Sequence, residues 1–371
     1  MRIEVITSFS ELSRLQPAWD AVYDADPEAQ FFLSWSWLSG RLQELGKAWL
    51  VLVARTGPDP SACVAFLPVR LSQVKKGDAI RRQLRMAGSP VADYTGFLCR
   101  PEHEALALAG FAEALQRLAR QLHWDDLEIA SLRASDRRLQ LLLGRFPSDR
   151  FVPKHSSNVN ADGIDNAVCP CVRLPQTWDE YLRHSVSANT RQKLRRFLRL
   201  VEGSSDLGIA AAGPETVEQD IQTLLDFWEA KWGSRKVGRM DRIRVQTRSM
   251  LLRCFEAGCL FLPTLRYQGR PVGALTILLD HRKKSYLFHM GGRDEAFDAP
   301  PPGLCLHAFS IRHAIEAGFR TYDFLRGNEA YKFSFGAEPH LLHSLVISSR
   351  FSGQPKHEPR GAANEAAPSA A

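Results

Sequence analysis

The feature that most constrains this chain is an order of elements that occurs twice: strand, strand, strand, helix, strand. In the first half, residues 49–54, 62–71 and 83–86 read as strands separated by turns. A long helix is expected from Glu102 to about His123, and residues 126–129 form the next strand. In the second half, residues 259–266, 272–279 and 285–290 are strands, with a turn at 268–271. A helix follows over 303–316, Gly318 stops it, and residues 321–325 are the closing strand. The two helix-to-strand joints, ending at Ala130 and Leu325, correspond. Each has an amphipathic helix, a short turn, and a strand with one acidic residue, Glu128 or Asp323, between apolar neighbours. Such alternation implies an α/β (α+β) chain built from two related units.

The remaining segments fit around that frame. Residues 1–7 read as a short strand without the apolar run of a signal peptide. Ser8 and Glu11 form a capping box for a helix carrying Leu12, Leu15, Trp19 and Val22, and a second helix follows Ser34 with Trp37, Leu38, Leu42 and Leu45. Two or three helices are expected between Thr177 and Ala257, and residues 156–163 form a connecting loop. The expected division is an N-terminal unit over 1–155, a C-terminal unit over 156–350, and a tail over 351–371. That tail is rich in Pro, Gly, Ala and Ser, lacks apolar periodicity, and is expected to be disordered.

Composition excludes several classes. Hydrophobic residues at 44% with 24% charged residues are enough for a sizeable core. No run approaches the roughly 18 consecutive apolar residues that a membrane span needs, so a cytoplasmic protein is expected. Seven scattered cysteines without a CxxC pair or a nearby histidine cluster read as buried free thiols and not as a metal site. The net charge of +7 suggests an anionic partner, for which coenzyme A, a nucleotide sugar or an acidic glycan serves as well as a nucleic acid; DNA is not expected. The chain has no GxGxxG after a strand, Walker loop, GxSxG elbow or HExxH. Its chemistry must therefore rest on positioning, acid–base help and backbone donors.

Four segments carry candidate chemistry. Three prolines and Gly303 open the helix after Asp298, which makes either an anion site at a helix start, with Pro302 and Gly303 under a pyrophosphate, or a stiff loop. In the strand from Tyr322, alternation puts Tyr322, Phe324 and Arg326 on one face and Asp323 and Leu325 on the other. Asp323, among apolar side chains, is either a general base of raised pKa or a brace paired with Arg326, Lys332 or a backbone N–H. From Tyr181 to Val201 there are six Lys or Arg and no acid, with Arg191, Arg195 and Arg199 in one stripe, which is either a solvated face or a surface for an anionic partner. His289, just before Gly291-Gly292, is either a base or a satisfied structural histidine. Trp228 and Trp232, beside Lys231, read as core.

At Tyr322-Asp-Phe-Leu-Arg-Gly327, with Glu329 and Tyr331-Lys332, the chain resembles the GNAT-type acetyltransferases labelled CelD-type or cellulose-biosynthesis proteins. These are similar in turn to the Fem-type aminoacyl transferases with two GNAT folds in tandem. Phe31-Phe-Leu33 with Trp37, the segment 88–94, the Ser187/Arg191/Arg195 helix and Pro302-Gly303 also match, so the likeness spans most of 1–350. The resemblance implies two tandem GNAT-like units, each a mixed, mostly antiparallel sheet flanked by helices, the first degenerate. It also implies transfer of an acyl group, acetyl being expected, from acyl-CoA to an amine or hydroxyl of a small or glycan-linked, anionic acceptor by direct attack. On that basis Asp323, Lys332 and His289 are the expected catalytic residues, and Met290, Gly291, Pro302, Gly303 and Arg326 the expected donor-binding residues. Arg191, Arg195, Glu329 and Tyr331 are expected to hold the acceptor. The spaced glycines of the usual pyrophosphate loop are missing, and only Pro302-Gly303 stands there. The alternatives are an aminoacyl-tRNA-dependent transferase and a non-catalytic binding protein of exopolysaccharide assembly.

Overall fold

The computed structural model describes residues 1–350 except 60–61, 236–237 and 239; the expected disordered tail lies outside the described residues. In the first half the strands are β1 (Arg2–Ile6), β2 (Trp49–Arg55), β3 (Cys63–Lys76), β4 (Ala79–Met86), β5 (Leu98–Cys99), β6 (Asp126–Leu132) and β7 (Phe151–His155). The helices there are α1 (Phe9–Arg14), α2 (Gln16–Ala25), α3 (Trp35–Glu44), α4 (Glu104–Leu122) and α5 (Asp136–Leu143). Strands β8 (Val168–Arg173), β9 (Leu207–Ala211), β10 (Leu260–Phe261), β11 (Pro263–Tyr267), β12 (Arg270–Asp280), β13 (Ser285–Arg293), β14 (Thr321–Asp323), β15 (Glu338–Leu341) and β16 (His343–Ser349) follow. Their helices are α6 (Trp178–His184), α7 (Ala188–Glu202), α8 (Val217–Trp232), α9 (Met240–Glu256), α10 (Pro302–Glu316) and α11 (Ala330–Phe333).

Two mixed sheets result. The first runs β1-β2-β3-β4-β6-β16-β7 with β5 on β3, the second β15-β8-β14-β13-β12-β11-β9 with β10 on β12. Each has one parallel pair, β4 with β6 and β13 with β14, joined by the right-length crossover helix α4 or α10. The expected duplication is therefore present. Strand pairing also crosses the middle of the chain. β16, from beyond residue 340, lies between β6 and β7 in the first sheet, while β8 lies between β14 and β15 in the second.

Apolar periodicity explains the packing. α4 turns Ala107, Leu108, Phe111, Leu115 and Leu118 onto the first sheet, and α10 turns Cys305, Leu306, Ile311 and Ala314 onto the second. Each large apolar side chain so buried contributes about 1.5–3 kcal/mol. A third apolar cluster belongs to both halves: Trp19 and Trp37 of the first pack in the same core as Leu224, Leu251 and Leu278 of the second. Polar contacts reinforce this seam. Tyr23 donates to the Asp280 carboxylate, and Lys283 Nζ donates to the Asp26 carbonyl at 2.8 Å.

Several local expectations need correction. Ser8 makes no side-chain cap bond, so the capping box with Glu11 does not form, and the helix breaks at Leu15 because Pro17 opens α2. The strand expected over 259–266 is split at Leu262 into β10 and β11, and four helices occupy 177–257. β13 runs past Met290 to Arg293, and β14 stops at Asp323 because Leu325 takes φ 55°. All seven cysteines are free thiols. No helix among the described residues is long and apolar enough to cross a membrane.

Candidate functional site

β13 and β14 pair only over Ser285–Leu287 and Thr321–Asp323, after which β13 continues on β12 with its other edge unpaired by β14. Within the ladder with β12, Thr276 faces Met290 and Ile277 faces Phe288, so His289 is the extra residue of a β-bulge. A bulge bends its strand and re-aims a side chain. Here the bulge lies where the strands part, and a cavity of about 890 Å³ opens, walled by His289, Met290 and Gly291 of β13. Its other walls come from Trp228 and Trp232 of α8, Met250 of α9, and Asp93 and Arg326. α8 lies close on β13: a Cβ on Gly292 would stand 2.6 Å from Phe227 Cβ and 3.2 Å from the Trp228 nitrogen. The two tryptophans, read from sequence as core, are thus cavity walls.

Asp93 comes from the first half, and its carboxylate joins two residues of the second. Oδ2 is 3.3 Å from His289 Nδ1, and Oδ1 accepts from Arg326 Nε at 3.0 Å. A carboxylate only accepts, so Nδ1 carries the imidazole proton when the ring is neutral and Nε2 keeps a lone pair. Burial raises the Asp93 carboxyl, but the His289 hydrogen bond and the Arg326 charge outweigh it and hold it below the usual carboxylate range. Arg326, expected on the donor, braces Asp93 and reaches Ser131 Oγ at 3.3 Å.

The motif from Tyr322 to Lys332 is a braced loop. Leu325 at φ 55° and Gly327 at φ 105° turn the chain sharply after β14. Asp323, 2% exposed, is absent from the cavity walls. Its Oδ1 accepts from the Leu325 N–H and from Tyr94 Oη, both at 2.8 Å, and its Oδ2 lies 3.6 Å from Arg133. Lys332, 3% exposed, donates to the carbonyls of Arg326 at 2.7 Å and Gly327 at 3.1 Å and pairs with Glu329 at 2.9 Å. Asp323 and Lys332, expected to handle protons, thus both hold the loop, Asp323 away from the cavity and Lys332 at its wall. Glu329 and Tyr331 line the cavity beside Lys332.

A second cavity, about 320 Å³, adjoins the first and shares Lys231, Phe288, Gly291 and Tyr331 with it. It leads along β13 to the start of α10 at Pro301 and Gly303. Pro301, the N-cap, offers no side-chain acceptor, so the Gly303 and Leu304 N–H groups lack an intrahelical partner. Pro302 itself lies under β12, where a Cβ on Gly273 would stand 2.7 Å from Pro302 Cβ. His307 in the cavity wall is pushed down to about 3 by burial and by the Lys332 charge, so it is neutral.

The basic helix α7 stands elsewhere. Arg191 donates to the Leu182 and Arg183 carbonyls at the end of α6, and exposed Arg195 lies 3.8 Å from Asp179. Neither of these two residues, expected on the acceptor, lines either cavity. The sequence reading missed Asp93, Tyr94 and Arg133, all supplied by the first half. In that half the gap corresponding to the β13–β14 parting is closed, because Thr95 bridges to Leu132 and exchanges hydrogen bonds with Ser131 and Arg133. The segment that plugs the first unit therefore delivers Asp93 and Tyr94 to the second.

The sequence profile of the acetyltransferase (GNAT) domain matches residues 188–333. No curated protein matches the sequence. Among solved structures, that of FemX is similar with a TM-score of 0.65 at 12% identity over 93% of this chain and 97% of its own. A conserved protein of unknown function from Bacteroides thetaiotaomicron is similar at 0.57 and 12% identity, over 94% and 100%. A tandem GNAT protein from the clavulanic acid biosynthesis pathway is similar at 0.52 and 13% identity, over 96% and 100%. At such identities the likeness bears on the fold alone. The two mixed sheets are those of a tandem GNAT fold, and the GNAT acetyltransferase profile matches the stretch that spans the parted parallel strand pair of the second.

Proposed function

We propose that the chain transfers an acyl group from an acyl-CoA to an amine or hydroxyl of an acceptor held in the larger cavity. The observation that carries this reading is the free edge of β13 beyond Leu287, which borders both cavities at once. The smaller cavity suits the donor. Its walls of Leu275, Phe288 and Leu306 would take the pantetheine arm, and the uncapped first turn of α10 offers N–H groups and a positive dipole end to the pyrophosphate. Backbone N–H groups along the free edge would polarise the thioester carbonyl and hold its oxyanion.

His289 is the base in this reading. Its Nε2 takes the proton from the acceptor nitrogen or oxygen as that atom attacks the thioester carbon. The tetrahedral intermediate collapses, the C–S bond breaks, and the coenzyme A thiolate leaves with the proton His289 gained. Asp93 orients the ring and stabilises its protonated form. α7 borders neither cavity, which favours a free acyl thioester over a tRNA-borne donor.

Calorimetric titration with acetyl-CoA, longer acyl-CoAs and free coenzyme A tests this. Saturable binding that weakens in Gly303→Asp supports the reading, and thiol release in an acceptor screen then follows His289. Well-folded protein that binds none of the three overturns it.

A further inference from the structure

On the first sheet, Arg70 of β3 stands directly opposite Arg85 of β4, and Arg85 is in register with Glu128 of β6. Residues in such register share one sheet face with Cβ atoms about 5 Å apart. Their neighbours Val69, Leu84 and Leu127 point the other way into the core under α4, so this face looks toward α3 and α9. α3 adds Arg41, 7% exposed, and α9 adds Arg242 and Arg253. Arg41 and Arg253 both use Glu44, and Arg85 holds Glu128 at 2.6 Å. Arg70 donates only to the Ser89 carbonyl, and neither it nor Arg242 has a carboxylate within ion-pair distance among the described residues. Five guanidinium groups are thus served by two carboxylates.

The Nε atoms of Arg41, Arg70 and Arg85 are all buried without a hydrogen-bond partner. Native proteins hold a few such atoms per hundred residues, but here three on charged groups stand at one place and leave a cost of several kcal/mol unless a ligand meets them. Burial lowers the Arg70 pKa, and the charges of Arg41 and Arg85 lower it further, as does that of Arg242, with Glu128 opposing. Neutralising charge from outside relieves all of these together. The place is also connected. Arg70 holds the carbonyl preceding Pro90, Arg242 precedes Ile243, and both Pro90 and Ile243 line the larger cavity.

We infer that Arg41, Arg70, Arg85 and Arg242 form a binding site for a phosphate-bearing group, at the rim of the larger cavity, where α9 of the second half meets the first sheet. A diphosphate offers enough oxygens and charge for several guanidinium forks, where a single carboxylate satisfies one. The site does not depend on the acyl-transfer reading. If that reading holds, the phosphate belongs to the acceptor, whose reacting end then lies toward His289.

Binding of inorganic pyrophosphate, measured by calorimetry with coenzyme A present in saturating amount to occupy any donor site, tests this without turnover. One saturable site is expected, weakened about tenfold or more in Arg70→Gln and in the exposed Arg242→Gln, each checked for an unchanged melting transition. Absence of saturable binding to the wild type, affinity unchanged in Arg242→Gln, or equal affinity for a tricarboxylate of the same charge would overturn the assignment.

Discussion

Asp93 and His289, 196 residues apart, face each other across the seam between the two units with Oδ2 3.3 Å from Nδ1. This one contact makes the larger cavity a joint product of both halves, and it separates the roles of the nearby polar residues.

If His289 is the base and Asp93 its orienting partner, Asp93→Asn lowers kcat by about 100-fold with little change in KM. His289→Gln lowers it at least as far. The side-chain amide introduced by Asp93→Asn can present N–H to the ring and favour the tautomer whose Nε2 lacks a lone pair, so the loss should persist across the pH range. Steady-state kinetics across pH 5–9 on the two variants checks both effects.

Asp93 also ties folding to pH. Its carboxyl titrates below the usual range when folded, so its contribution is present above the unfolded-state pKa and is lost as pH falls through the folded value. Urea midpoints of the wild type should therefore drop between pH 5 and pH 3 more than those of Asp93→Asn. Parallel curves for the two would show that Asp93 contributes nothing to acid sensitivity.

Asp323 and Lys332 should behave as braces. Asp323→Asn keeps an acceptor for the Leu325 N–H and is expected to retain most turnover, which a general base would not. Tyr94→Phe leaves the Asp323 carboxylate short of one buried donor and should cost about 1–3 kcal/mol. Lys332→Met strands two carbonyls and should cost about 2–3 kcal/mol. Chemical denaturation measures all three, and a loss of kcat in Asp323→Asn without a loss of stability would restore it as a proton carrier.

Gly303 has open space where a Cβ would be, so Gly303→Asp should fold normally and gain slightly from the helix dipole. A carboxylate there would repel a pyrophosphate, raising the KM for acyl-CoA about tenfold or more while kcat stays near wild type. An unchanged KM would remove the start of α10 from the donor site.

The sequence makes parts of this plain for identifiable reasons. The helices α4 and α10 announce themselves because their buried residues recur at helical spacing, and β12 and β13 because apolar residues run between turns. The end of β14 is not readable, since Leu325 takes a left-handed backbone only because Asp323 captures its N–H. Asp93 stands in the segment 88–94 that carries the resemblance, but nothing local gives it a role; its partners are His289 and Arg326, and only the fold brings them together. Arg191 misled because charge periodicity shows a helix face without showing what it faces, here the carbonyl end of α6.

The insertion of β16 into the first sheet has a consequence for the chain's birth. During synthesis the N-terminal half emerges first, yet the slot between β6 and β7 stays vacant until residues 343–349 leave the ribosome. β7 then has no neighbour to hold it, and the exposed border of β6 is a template for pairing with another chain. The first sheet is therefore closed last, like a clasp, and the N-terminal half is not a self-sufficient piece that could be cut free with its sheet intact.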